Sequence, residues 1–177
     1  TFLVADATLY LVKCHNIRFE DIRRIKLTVS PYLHRRHFLP LVKSGLYGKF
    51  AINYVAAIAA LEGKLEKESF SDAQVHEHKV QEALGKVLVV IDSNIEDNGG
   101  HCPVTIELKD GRSFSHTATI PKGHPNNPLT EEEVQDKFRD NVKNIISQQR
   151  CDELIACLMT IDNLSNINQL TELLALP

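Results

Sequence analysis

Val104-Thr105-Ile106-Glu107-Leu108-Lys109-Asp110-Gly111-Arg112-Ser113-Phe114-Ser115-His116 is the stretch that decides the fold. Val104, Ile106 and Leu108 alternate with polar residues, which marks a strand with one buried face. Asp110-Gly111 is a hairpin signal, because glycine accepts the left-handed backbone that a tight turn demands, and it leads into a partner strand over residues 113–120. Just upstream, residues 86–91 form an apolar run, separated from Val104 by an Asp97-Asn98-Gly99-Gly100 loop. Further back, Ile25-Lys26-Leu27-Thr28-Val29 alternates again until Ser30-Pro31 ends it. These segments predict an α+β fold with a sheet of about four strands, mostly antiparallel, and helices on one face.

Helical spacing surrounds the strands. Leu3, Ala7, Tyr10, Leu11 and Cys14 repeat at helical intervals up to a stop at Asn16. Residues 32–43 hold three basic side chains and two histidines without a dominant period, and read as a loop with about one helical turn. Residues 46–62 read as one helix stopped by Gly63, with Tyr47, Phe50, Tyr54, Ile58 and Leu61 as its apolar stripe and Ala56, Ala57 and Ala60 as a close-approach surface. Ser71 caps a helix running to about Leu84, ended by Gly85.

Pro121-Lys122-Gly123-His124-Pro125-Asn126-Asn127-Pro128 reads as a linker. Beyond it Thr130 and Glu133 form a capping box, followed by a stripe of Val134, Phe138, Val142, Ile145 and Ile146 and by shorter helices near 151–160 and 166–175. Charge shifts there too, from 15 basic and 14 acidic residues over 1–121 to 5 and 9 over 122–177. The division expected is therefore an α+β domain over 1–121 and a helical segment over 122–177.

The whole chain has 177 residues, 43% of them hydrophobic, and a formal charge of −3, a composition that excludes disorder. No uninterrupted apolar run is long enough to span a bilayer, and nothing resembles a secretory leader. A cytoplasmic location is expected. The four cysteines are too scattered for a disulfide scaffold. The chain opens as if a helix were already under way, with threonine first and Met159 the single methionine, and reads as a piece of a longer polypeptide.

No metal site is expected. His76 and His78 would point about 200° apart on a helix, Cys151 and Cys157 about 240° apart, and His34 and His37 bracket Arg35-Arg36. Gly45-Leu46-Tyr47-Gly48-Lys49-Phe50 is too short between its glycines for a phosphate loop and lacks the hydroxyl residue after the lysine. It still offers N–H groups at Ser44-Gly45 near Lys49, suited to a carboxylate or other anion, with Lys49 and Asn53 one turn apart and Tyr54 adjacent. An exposed lysine beside core aromatics explains the same pattern. Residues 13–49 carry nine basic and two acidic side chains, which could steer a polyanionic metabolite; no nucleic-acid motif accompanies them.

Two segments carry a resemblance to a known family. Lys49-Phe50-Ala51-Ile52-Asn53-Tyr54-Val55-Ala56-Ala57-Ile58-Ala59 is similar to the “KFS…Y.vA.A” helix of the MmgE/PrpD family, which includes 2-methylcitrate dehydratase, cis-aconitate decarboxylase and iminodisuccinate epimerase. Asp110-Gly111-Arg112, residues 121–130, Glu133 and Lys137-Phe138-Arg139 resemble its “DGr…prGhp.nPlt.eE…KFr” signature. The resemblance implies that residues 1–121 form most of a lid domain, and that 122–177 belong to a larger all-helical domain whose N-terminal part is missing here. It implies a lyase acting on a di- or tricarboxylic acid, with no cofactor, a homodimeric parent, and a fragment that is catalytically incomplete. No catalytic residue is assigned within the chain. Tyr54 is carried over as a substrate-facing hydroxyl, with Lys49 and Asn53 as candidate anion contacts. A non-catalytic anion-binding or assembly module remains the alternative.

Overall fold

The computed structural model describes residues 1–96 and 101–175, so the loop expected at Asp97-Asn98-Gly99-Gly100 lies outside the described residues. The chain divides into two compact units, Thr1–Pro128 and Leu129–Pro177.

In the first unit, β1 (Ile22–Val29), β2 (Val87–Ile91), β3 (Val104–Leu108) and β4 (Ser113–His116) form one sheet in the order β2-β1-β3-β4. The β1–β3 and β3–β4 pairs are antiparallel; β1 and β2 run parallel, Ile25 opposite Val87 and Val29 opposite Ile91. The fold is α+β with a mostly antiparallel sheet. Parallel neighbours cannot be joined by a tight turn. Residues 30–86 therefore make the crossover, and they contain α2 (Pro31–His37), α3 (Gly45–Gly48), α4 (Ile52–Glu62), α5 (Asp72–His76) and α6 (His78–Gly85).

The alternating strand residues Ile25, Leu27, Val29, Val104 and Ile106 pack against Val4, Ala7 and Leu11 of α1 (Phe2–Cys14) and against Ile52, Ala56 and Ala60 of α4. Burying each large aliphatic side chain contributes about 1.5–3 kcal/mol. A second cluster uses the other side of α4, where Tyr54 and Ile58 meet Val42, Val75 and Val80. α4 is thus covered from both sides, and its alanines let its neighbours come close. The chain leaves α1 through Asn16 in the left-handed conformation, φ 48°, and leaves α4 through Gly63, φ 66°.

Three expectations need correction. The helix expected over 46–62 breaks into α3 and α4 around residues 49–51, so the stripe does not continue: Tyr47 and Phe50 are each 57% exposed while Tyr54 and Ile58 are buried. Residues 31–37 are a helix, because Ser30 accepts the Leu33 N–H at 3.1 Å and Pro31 sits in the first turn, where its missing N–H costs nothing. The helix after Ser71 is two, interrupted by Glu77 in an extended conformation. Ser71 does cap the first of them, accepting the Gln74 N–H.

In the second unit, the Thr130–Glu133 capping box is formed at the head of α7 (Glu131–Val142). Ser147 caps α8 (Gln148–Met159), and Arg150 donates to the carbonyls of Glu172, Leu173 and Ala175 at the end of α9 (Asn168–Leu174). A cation there suits the negative helix terminus. α8 buries Cys151, Leu154 and Ile155, whereas no residue of α7 is buried. No described helix is long and apolar enough to cross a membrane. The four cysteines are free, Cys14 exposed and Cys102 buried. Burial pushes the Cys102 thiol up to about 12.

Candidate functional site

The site lies inside the crossover, where α3 turns into α4. Gly45 starts α3 without a side-chain cap from Ser44. Its N–H instead donates to the Asp72 carboxylate at 2.9 Å, and its carbonyl accepts the Lys49 N–H at 3.2 Å. A side chain at 45 is impossible without rearrangement, because a Cβ there would lie 1.8 Å from the Phe70 carbonyl oxygen. Gly48 meets the Tyr54 ring in the same way, at 2.8 Å. The two glycines are required by close approach of backbone to backbone and of backbone to ring.

The three sequence-predicted residues are placed differently. Lys49 is exposed, in the turn between the helices. Asn53 is buried and its side chain is turned to the chain of residue 39, its Nδ2 donating to the Leu39 carbonyl at 2.8 Å and its Oδ1 accepting the Leu39 N–H at 3.4 Å. Tyr54 is fully buried; its hydroxyl donates to the Ser69 carbonyl at 2.7 Å, and its ring packs on Phe70 with centroids 6.0 Å apart. Burial, with the nearby Glu62 carboxylate adding to it, pushes the Tyr54 hydroxyl up to about 12, so it stays protonated and donates. Facing a substrate would require that hydroxyl to leave the Ser69 carbonyl. The break between α3 and α4 also removes the shared helical face expected for Lys49 and Asn53.

The anion expected at the Gly45 N–H is supplied by the chain itself, as Asp72. Other residues that sequence reasoning missed complete the surroundings. His37 brings Nδ1 within 3.2 Å of the Phe50 carbonyl. That oxygen only accepts, so Nδ1 carries the proton. Ser69 is held by Glu62, to which its hydroxyl donates at 2.6 Å, and it accepts the Glu66 N–H at 3.1 Å. Gln74 donates to the same Glu62 carboxylate at 2.7 Å. Only the Ser71 cap signal pointed toward this segment in the sequence, and it gave no role to Asp72.

The surface around Lys49 combines exposed apolar and basic side chains. Leu46, Tyr47 and Phe50 are exposed, as are Arg35, Arg36, Lys43 and Lys49. No aspartate or glutamate occurs between residues 22 and 61. A lysine on a turn anchored at both ends, on an acid-free stretch of chain, can receive a carboxylate without an internal competitor on its own element.

Comparison with known proteins gives a consistent result. The profile of the MmgE/PrpD C-terminal domain matches residues 1–160. Cis-aconitate decarboxylase of Homo sapiens is 30% identical over 160 residues, covering 88% of this chain and 32% of the human protein. The Mus musculus cis-aconitate decarboxylase is 29% identical over 187 residues, covering 100% of this chain and 38% of the mouse protein. A cis-aconitate decarboxylase of Aspergillus terreus is 26% identical over 140 residues, covering 76% of this chain and 28% of the fungal protein. The chain spans about a third of the length of the curated relatives it matches.

Proposed function

The chain belongs to the MmgE/PrpD family, as its C-terminal domain, and from that premise we propose that it is the C-terminal part of a carboxylic acid lyase. In this reading residues 1–121 are the lid, residues 122–177 complete a larger helical domain, and the N-terminal part of that domain closes the catalytic cleft. The substrate class is a di- or tricarboxylic acid, for which cis-aconitate is the first candidate because the similar proteins are cis-aconitate decarboxylases. Removing CO2, water or a proton beside a carboxylate builds negative charge, and a fixed cation nearby stabilises that charge.

The observation that carries this reading is Lys49: exposed, on an acid-free stretch, in a turn tied to Asp72 through Gly45. Lys49 is assigned carboxylate contact, while Asn53 and Tyr54 fix the chain that follows it through Leu39 and Ser69. Steady-state kinetics on the whole polypeptide test this. Cis-aconitate or 2-methylcitrate should be turned over, and K49A should raise KM about tenfold, the order expected for one charge-assisted hydrogen bond. An unchanged KM in K49A overturns the assignment. The 177-residue chain alone should show no turnover.

One observation favours a second reading, a non-catalytic anion-binding module. Tyr54 and Asn53 already spend their polar groups on Ser69 and Leu39, which leaves Lys49 as the exposed member of the three. Carboxylate binding by the whole polypeptide without any turnover would select it.

A further inference from the structure

We propose that Asp72 is a positioning residue for Lys49, acting through Gly45. This rests on the reading of Lys49 as the carboxylate contact. Gly45 is the single residue between them: its N–H is bonded to Asp72 at 2.9 Å and its carbonyl to the Lys49 N–H at 3.2 Å. It cannot slide away, because the Phe70 carbonyl lies against its Cα. The other end of the turn is fixed to the same segment, through the Tyr54 hydroxyl on the Ser69 carbonyl. Residues 69–72 thus hold both flanks of Lys49, although they are remote from it in sequence.

Asp72 belongs to α5, and it does for α3 what a capping side chain does for its own helix. The cap expected at position 44 is absent, since Ser44 makes no side-chain bond to the helix it precedes. Releasing the Gly45 N–H would free the first turn of α3 and let the Lys49 ammonium wander. Where the Lys49 ammonium can reach is set by where its turn sits, and a misplacement of about 1 Å in a positioned group is enough to weaken what it does. Loss of Asp72 should therefore weaken carboxylate binding only by way of Lys49.

The test is a double-mutant cycle on the whole polypeptide with cis-aconitate as the probe. D72A should raise KM about tenfold, as K49A does, with kcat within about twofold of wild type, the pattern of a carboxylate contact made equally in the ground and transition states. The double variant should be no worse than K49A alone, because the two changes remove one interaction. D72N keeps a carbonyl oxygen at the same distance and should restore KM to near the wild-type value. If D72A does not fold, D72L, which keeps side-chain volume and offers no acceptor, replaces it in the same cycle. An unchanged KM in D72A or D72L, or effects that multiply in the double variant, overturns the proposal. K49A without effect overturns the reading beneath it, and the two failures are told apart by that single variant.

Discussion

Gly48 lies so close to the face of the Tyr54 ring that a methyl group on its Cα would sit 2.8 Å from two ring carbons. Tyr54 has no room to retreat: it is fully buried, and its hydroxyl is bonded to the Ser69 carbonyl. The last residue of α3 and the third residue of α4 are therefore mutual templates. Their contact, with Gly45 against Phe70, gives the turn carrying Lys49 its shape.

Substituting alanine at either glycine should destabilise the fold. Gly45→Ala meets backbone, which cannot rotate aside, and should cost about 3 kcal/mol or more. Gly48→Ala meets a side chain rather than backbone and should cost about 1–3 kcal/mol, the usual range for overpacking. Urea denaturation midpoints rank the two, and a neutral G45A would contradict the packing described.

Removing the Tyr54 hydroxyl has two expected effects. Y54F leaves the Ser69 carbonyl without its donor and should cost about 1–2 kcal/mol at neutral pH. The second effect concerns alkaline solution. An unfolded tyrosine loses its proton near pH 10, whereas burial holds that of Tyr54 to about 12. Between these values the folded chain keeps a proton that the unfolded chain has released, so stability is intact below about pH 10 and falls as pH rises through the window. The slope is about 1.4 kcal/mol per pH unit at its steepest. Y54F should lack this component, which denaturation curves at pH 9, 10 and 11 would reveal.

The cysteines should separate by reactivity. Cys14 is exposed and should be alkylated in the native chain. Cys102 is buried, with its thiol raised to about 12, and should stay unmodified until the chain unfolds. Mass spectrometry after brief iodoacetamide treatment distinguishes them; rapid native labelling of Cys102 would refute its burial.

The second unit should promote self-association. None of α7 is buried; Val134 on it is 49% exposed, and Ile145, in the turn that follows the helix, is 52% exposed. Sedimentation velocity on the 177-residue chain should show mass growing with concentration, and V134E with I145E should reduce it. A monomer at every concentration contradicts this.

Much of the fold was legible because its signals are local. The alternation at Val104–Leu108, the Asp110-Gly111 turn, the Gly63 stop and the Thr130–Glu133 box each depend on residues within a few positions. The break between α3 and α4 was hidden because apolar residues continue at helical spacing across it. α4 itself is buried on all sides, so its sequence offers no contrast between faces to locate it. The candidate site was harder still. Lys49 could be picked out as a cation near free N–H groups, but its supports, Asp72 and Ser69, lie some twenty residues further along. Only the folded crossover brings them to Gly45 and Tyr54.

That crossover also ties the behaviour of the site to the edge of the sheet. Among the described residues strand β2 has one neighbour, β1, and joins it only after the chain has passed through α2 to α6. Fraying of the Lys49 turn that spreads into α4 and α6 therefore loosens the tether of β2. Amide hydrogen exchange should register this as one cooperative opening, with Val87–Ile91 losing protection alongside Ile52–Glu62.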